Sequence, residues 1–252
     1  MTSTFSAPAA KRIRGGALFF LATVVLALGA TYTGASASAG NPNCPHGANS
    51  TSSACFGGVT QYGTYAEFHS NNMYMNGSLE AQGDHINHSI WAFSGSPCAS
   101  WVEIGLTQGF QTQIAYTWYY AYQDLAGHYK ATKFNSTSPN GSNHAYHLVF
   151  DGGSEYAFWL DGIRLSTITN MGVGTCVSAG GLEVSGIADP NYHSDTFNLN
   201  PLKWQDTSYN YHTGWDQSQY WIDQPCGQYP WTPGYCENAQ FPTSSFWADN
   251  KP

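Results

Sequence analysis

The chain has 252 residues, 16 acidic against 8 basic, a formal net charge of −8 and six cysteines. So acidic a chain is not built to hold nucleic acid phosphates. Its low content of charged residues and its wealth of Tyr, Trp, Phe, Gly, Ser and Thr favour strands and turns over helices.

The first segment reads as a secretory signal peptide over residues 1–39. Lys11, Arg12 and Arg14 form a basic region, 17–30 is apolar but short for a membrane span, and Ala37-Ser38-Ala39 is a small-residue cleavage site. Cleavage before Gly40 predicts a secreted protein with no membrane association. What remains, 40–252, is read as one β-sandwich domain with an N-terminal arm over 40–61 and an aromatic-rich extension from about 200 to 252. Losing three basic residues leaves it more acidic still, and few lysines suit acidic surroundings.

Candidate strands follow in order: Tyr62–His69, Ile86–Phe93, Ser100–Leu106, Thr112–Tyr122, Ala145–Phe150, Tyr156–Leu160, Arg164–Thr169 and Leu182–Ser185. Turn sequences part them, among them Asp151-Gly152-Gly153 and Asp161-Gly162. Many short strands at this spacing predict an all-β, antiparallel jelly-roll or concanavalin-like sandwich, stapled by disulfides. Along Thr112–Tyr122 the even positions are bulky and aromatic. That stripe suits a core, or a binding groove.

An even number of cysteines in a secreted chain argues for three bridges among Cys44, Cys55, Cys98, Cys176, Cys226 and Cys236. Six cysteines allow fifteen pairings. Local loops Cys44–Cys55 and Cys226–Cys236 would leave Cys98–Cys176, tying together the approaches to two segments of special interest.

Those segments are Trp101-Val102-Glu103-Ile104-Gly105 and Gly181-Leu182-Glu183-Val184-Ser185. Side chains alternate along a strand, so Val102, Ile104, Leu182 and Val184 face a core while Glu103 and Glu183 face away. If the two strands are neighbours, the carboxylates meet in a groove. Trp101 and Tyr119 could line its walls, or be packed rings. An isolated strand glutamate is ordinarily a solvated one, so the pairing matters more than either residue. His85-x-x-His88 and His144-x-x-His147 place their imidazoles on opposite faces, which argues against a metal site. No nucleophile elbow, dinucleotide loop or P-loop occurs, and no cofactor is implied.

The order of motifs resembles the neprosin-type glutamic peptidases and, more distantly, the eqolisins. The likeness runs from about Tyr62 to Ile187. His88-Ser89-Ile90-Trp91 precedes Glu103-Ile104-Gly105. The aromatic strand Tyr116-Thr117-Trp118-Tyr119-Tyr120 follows, then Asp151-Gly152-Gly153 with Tyr156-Ala157-Phe158-Trp159-Leu160, then Gly180-Gly181-Leu182-Glu183-Val184. One residue is inserted between glycine and the second glutamate, and the C-terminal tail matches nothing in the pattern. The resemblance implies a jelly-roll endopeptidase that cleaves polypeptides with two carboxyls sharing a proton, favouring acidic pH. By analogy with eqolisins, which carry glutamine at the first position, Glu103 would be the electrophilic partner and Glu183 the base. The alternatives are a glycan-binding or glycan-cleaving jelly roll, to which aromatic richness and paired glutamates are also suited, and a non-catalytic sandwich.

Overall fold

The computed structural model describes residues 39–40, 50–69, 73–74, 85–95, 98–109, 117–134, 141–184, 193–194, 197–213, 220–222, 238–240 and 246–249. Residues 1–35 form one unit and 36–252 a second, which holds every described residue. The expected leader lies almost wholly outside the described residues, as do Cys44, Cys226 and Cys236.

The strands in chain order are β1 (Ala39–Gly40), β2 (Ser50–Gln61), β3 (Gly63–Phe68), β4 (Met73–Tyr74), β5 (His85–Ser94), β6 (Ser100–Gly109), β7 (Thr117–Gln123), β8 (Tyr129–Phe134), β9 (His144–Gly152) and β10 (Glu155–Leu160). They continue with β11 (Ile163–Ile168), β12 (Thr175–Val184), β13 (His193–Ser194), β14 (Phe197–Leu199), β15 (Leu202–Gln205), β16 (Tyr211–His212), β17 (Tyr220–Ile222), β18 (Asn238–Gln240) and β19 (Phe246–Asp249). All pairings are antiparallel. An eight-stranded sheet runs β1-β17-β2-β12-β5-β6-β7-β8, and a six-stranded sheet runs β11-β10-β9-β3-β15-β16. No helix occurs among the described residues.

Alternation explains how the two sheets meet. Ile86, Ile90, Val102, Ile104, Leu106 and Leu182, all fully buried, lie on one side of the large sheet. Ser178 on that side donates to the Gly63 carbonyl of the small sheet at 3.0 Å. The aromatic stripe of β7 belongs here too: Trp118 Nε1 donates to the Tyr146 hydroxyl at 2.9 Å and Tyr120 packs on Phe158 at 4.7 Å. The stripe is therefore core, because even positions of β7 pair with Val102, Ile104 and Leu106.

The expected turns hold the small sheet in register. Asp161 and Gly162 join β10 to β11 as a two-residue turn with φ of 50° and 75°, the backbone that an Asp-Gly hairpin supplies at least strain. Cys98 and Cys176 are bridged, Cα to Cα 6.1 Å, clamping the approaches to β6 and β12. Cys55 is also disulfide-bonded, to a partner outside the described residues.

Two segments differ from their sequence reading. Part of the expected arm, Ser50–Gln61, is a twelve-residue strand inserted between β12 and β17. The C-terminal extension gives β15 and β16 to the small sheet and β17 to the large one. Leu199 and Leu202 of that extension are buried against Gly180 of β12.

Candidate active site

The two glutamates lie on strands that are not adjacent. β5 runs between β12 and β6, with Glu183 opposite Asn87 and Glu103 opposite Trp91. The expected neighbourhood of the two strands is thus corrected by one strand. The expected shared face is found, because Asn87 and Trp91 are four residues apart on β5 and project the same way. This face is the one turned from the small sheet.

The pairings set out the face in transverse rows. The first contains Glu183, Asn87, Thr107 and Thr117. The second contains Gly181, Ser89, Gly105 and Tyr119. The third contains Ala179, Trp91, Glu103 and Ala121, and the fourth Val177, Phe93, Trp101 and Gln123. The second row separates the carboxylates, and two of its four positions are glycine. With no side chain at Gly105, the ring of Tyr119 reaches across β6. Its hydroxyl meets the Ser89 hydroxyl at 2.6 Å and donates to Glu103 Oε1.

The two carboxyl groups have unlike surroundings. Glu103 is 3% exposed. Burial, and then the negative charge of Glu183, push its pKa up to about 8, against hydrogen bonds from Tyr119, Ser89 and Trp91 that favour the ionised form. Desolvation wins, and Glu103 keeps its proton at neutral pH. Burial, then the charges of Glu103 and Glu183, likewise hold the Tyr119 phenol well above its ordinary value. Glu183 keeps 18% of its side chain exposed, accepts from Asn87 Nδ2 at 2.9 Å on Oε2, and has His85 Nε2 at 3.6 Å.

Tyr119 is 1% exposed and bonded to Glu103, so it lies beneath the surface as a support of that carboxyl and does not front a groove. Trp101 is two residues from Glu103 on the same face, part-buried, with its ring 5.8 Å from that of Tyr129. Tyr129 on β8 is half exposed and extends the fourth row beyond Gln123, and burial followed by the charges of both glutamates raises its pKa.

His85 and Asn87 beside Glu183, and Ser89 beside Glu103, were not singled out for the site from sequence. They share the i, i+2, i+4 spacing of one strand face, a signal present in His85–Ser89 but carrying no sign of which strands flank it. His88 faces the core, fully buried, and burial lowers its pKa to about 3. His144 pairs with Asp161 and His147 with Tyr211. Among the described residues no three His, Cys, Asp or Glu side chains converge as a metal site.

The backbone is similar to scytalidoglutamic peptidase bound to a peptide-based transition-state analogue, with a TM-score of 0.55 and 10% identity, over 80% of this chain and 98% of that one. It is also similar to SCP-B, an eqolisin peptidase in complex with the tripeptide Ala-Ile-His, with a TM-score of 0.52 and 8% identity over the same shares. A β-glucanase of Bacillus licheniformis aligns at a TM-score of 0.35 with 12% identity, over 77% of this chain and 64% of that one, too loose a match to bear on function. No protein-family model matches the sequence, and no curated protein matches it.

Proposed function

We propose that the protein is a secreted, metal-independent glutamic endopeptidase acting through Glu103 and Glu183. The observation that carries this reading is the asymmetric pair on one sheet face: a buried Glu103 that keeps its proton to about pH 8, and a part-exposed Glu183 served by Asn87. In the reaction, Glu183 takes a proton from water as its oxygen attacks the scissile carbonyl carbon. Glu103 donates its hydrogen to the carbonyl oxygen and stabilises the charge gathering there. Collapse of the tetrahedral species breaks the C–N bond, and the proton held by Glu183 passes to the departing amine. The glutamate at the first position, where eqolisins have glutamine, supports the neprosin-type likeness. The high affinity of Glu103 for its proton extends the working range from acid toward neutral pH.

A glycan-directed reading draws on Trp101 and Tyr129, rings that suit sugar stacking beside a carboxyl pair. The test of both is the purified protein offered a peptide library between pH 3 and 8 and a polysaccharide array, each repeated with Glu103→Gln and Glu183→Gln. Peptide cleavage lost in Glu183→Gln supports the peptidase. Cleavage that survives in Glu183→Gln overturns the mechanism, and cleavage confined to polysaccharide replaces it with the second reading. Inertness toward both leaves a non-catalytic sandwich.

A further inference from the structure

The first row of the face holds two polar atoms that the fold leaves without a partner. Asn87 is fully buried and Thr107 is 1% exposed. They sit directly opposite one another on β5 and β6. Asn87 spends its amide N–H on Glu183, which leaves Oδ1, and neither that oxygen nor Thr107 Oγ1 has a hydrogen-bond partner. A buried polar group left so costs on the order of 1–3 kcal/mol, and one of this pair touches the proposed base. Directly opposed residues have Cβ atoms about 5 Å apart, so a single small polar group can meet both.

We infer that Asn87 and Thr107 form a subsite beside Glu183 for an uncharged carboxamide side chain, glutamine or asparagine, of a substrate peptide. The chemistry selects that class. Asn87 Oδ1 can only accept, so the ligand must bring a donor, and the Thr107 hydroxyl can give a hydrogen to an acceptor. A carboxamide carries both on one planar group. An ammonium or guanidinium would pair with Glu183 and quench the base, and a carboxylate would be repelled by it. A methyl or thioether would leave both oxygens unsatisfied. Glu183, the neighbour of Asn87 in the row, keeps 18% of its side chain exposed. The far end of the face differs in kind, with Phe93, Trp101, Val177 and Tyr129 forming an apolar shelf past Glu103. The substrate is therefore read by polarity on the Glu183 side and by apolar contact on the Glu103 side.

The inference rests on the peptidase reading for the word substrate, and its test separates the two. Paired peptides with glutamine or methionine at each of three positions on either side of the scissile bond are compared, both as substrates and as non-hydrolysable reduced-amide analogues bound in calorimetry. The proteins are wild type, Thr107→Val, Thr107→Ser and Ser53→Ala. Ser53 lies on β2, on the opposite flank of Glu183, and its own buried hydroxyl also lacks a partner. At one position the glutamine peptide should have at least about tenfold higher kcat/KM, and its analogue at least about tenfold lower Kd, than the methionine counterpart, the worth of a satisfied buried hydrogen bond. Thr107→Val should bring the ratio to within about twofold by weakening the glutamine peptide alone. Thr107→Ser and Ser53→Ala should keep it. No glutamine preference at any position, or one that persists in Thr107→Val, overturns the subsite while leaving the dyad intact. Glutamine-selective binding of the analogues without cleavage of any peptide sinks the dyad and keeps the subsite.

Discussion

At the scale of single residues, the site turns on what burial does to one carboxyl. Glu103 keeps its proton through neutral pH although three donors favour its ionised form, because it is almost wholly out of water. The folded state therefore binds more protons than the unfolded chain between the ordinary carboxyl range and about pH 8. Stability from this group is full at low pH, falls as pH rises through that window and levels off above it. Glu103→Gln should remove the slope, so urea midpoints for variant and wild type should diverge between pH 5 and pH 8, with the variant the more stable at pH 8 by at least about 1 kcal/mol. In catalysis the same substitution keeps an N–H donor, so the loss in kcat should be modest, about ten- to a hundredfold. The alkaline limb near pH 8 should vanish, since an amide does not ionise. Glu183→Gln removes the base and should cost at least about a thousandfold in kcat at every pH. Tyr119→Phe deletes one donor that favours ionised Glu103, and should move that limb upward in a pH–rate profile.

At the scale of strands, β6 depends on a missing side chain. A Cβ at Gly105 would run into the His88 carbonyl oxygen and the Ser89 Cα of β5. The obstacle is backbone and cannot swing aside. Gly105→Ala should therefore destabilise by more than about 3 kcal/mol in denaturant melts, where an ordinary strand Gly→Ala exchange gains slightly. The strands that carry the glutamates were legible in the sequence because Val102, Ile104 and Leu106 alternate with polar or small neighbours. β2 was not, since Ser50-Thr51-Ser52-Ser53 has no apolar rhythm. It is a strand because β12 and β17 satisfy its backbone on both edges, a fact of tertiary pairing. β8 was missed for a related reason. Lys130 and Lys133 with exposed Tyr129 mark a protected sheet edge more than a core strand. The insertion of β5 between the glutamate strands has no local signal, because strand order is set by which apolar faces pack together across the whole sandwich.

At the scale of the molecule, Cys98–Cys176 spans 78 residues and includes β6 through β11 within its loop. Closing so long a loop restricts the unfolded chain, and its removal should lower stability by about 4 kcal/mol. Cys98→Ser with Cys176→Ser should show that loss in thermal or urea melts. The fold class, and the turning of each glutamate away from the apolar side of its own strand, were readable from the order of residues alone, whereas Cys98–Cys176 followed only once local loops were assumed for the other four cysteines. The unequal surroundings of the carboxylates were not, for they arise from Tyr119, Ser89, Asn87 and His85 drawn from separate positions in the chain.

The two glutamates are carried by interior ribbons of a continuous hydrogen-bonded fabric, with neighbours laced to both edges of β6 and of β12. Their spacing is thus a woven dimension, inherited from sheet twist, and no hinge can retune it. Amide hydrogens of Glu103 and Glu183 should be among the last to trade for deuterium, released only when the whole domain opens. On the peptidase reading, drift toward new substrates would have to come from the rim, leaving the loom untouched.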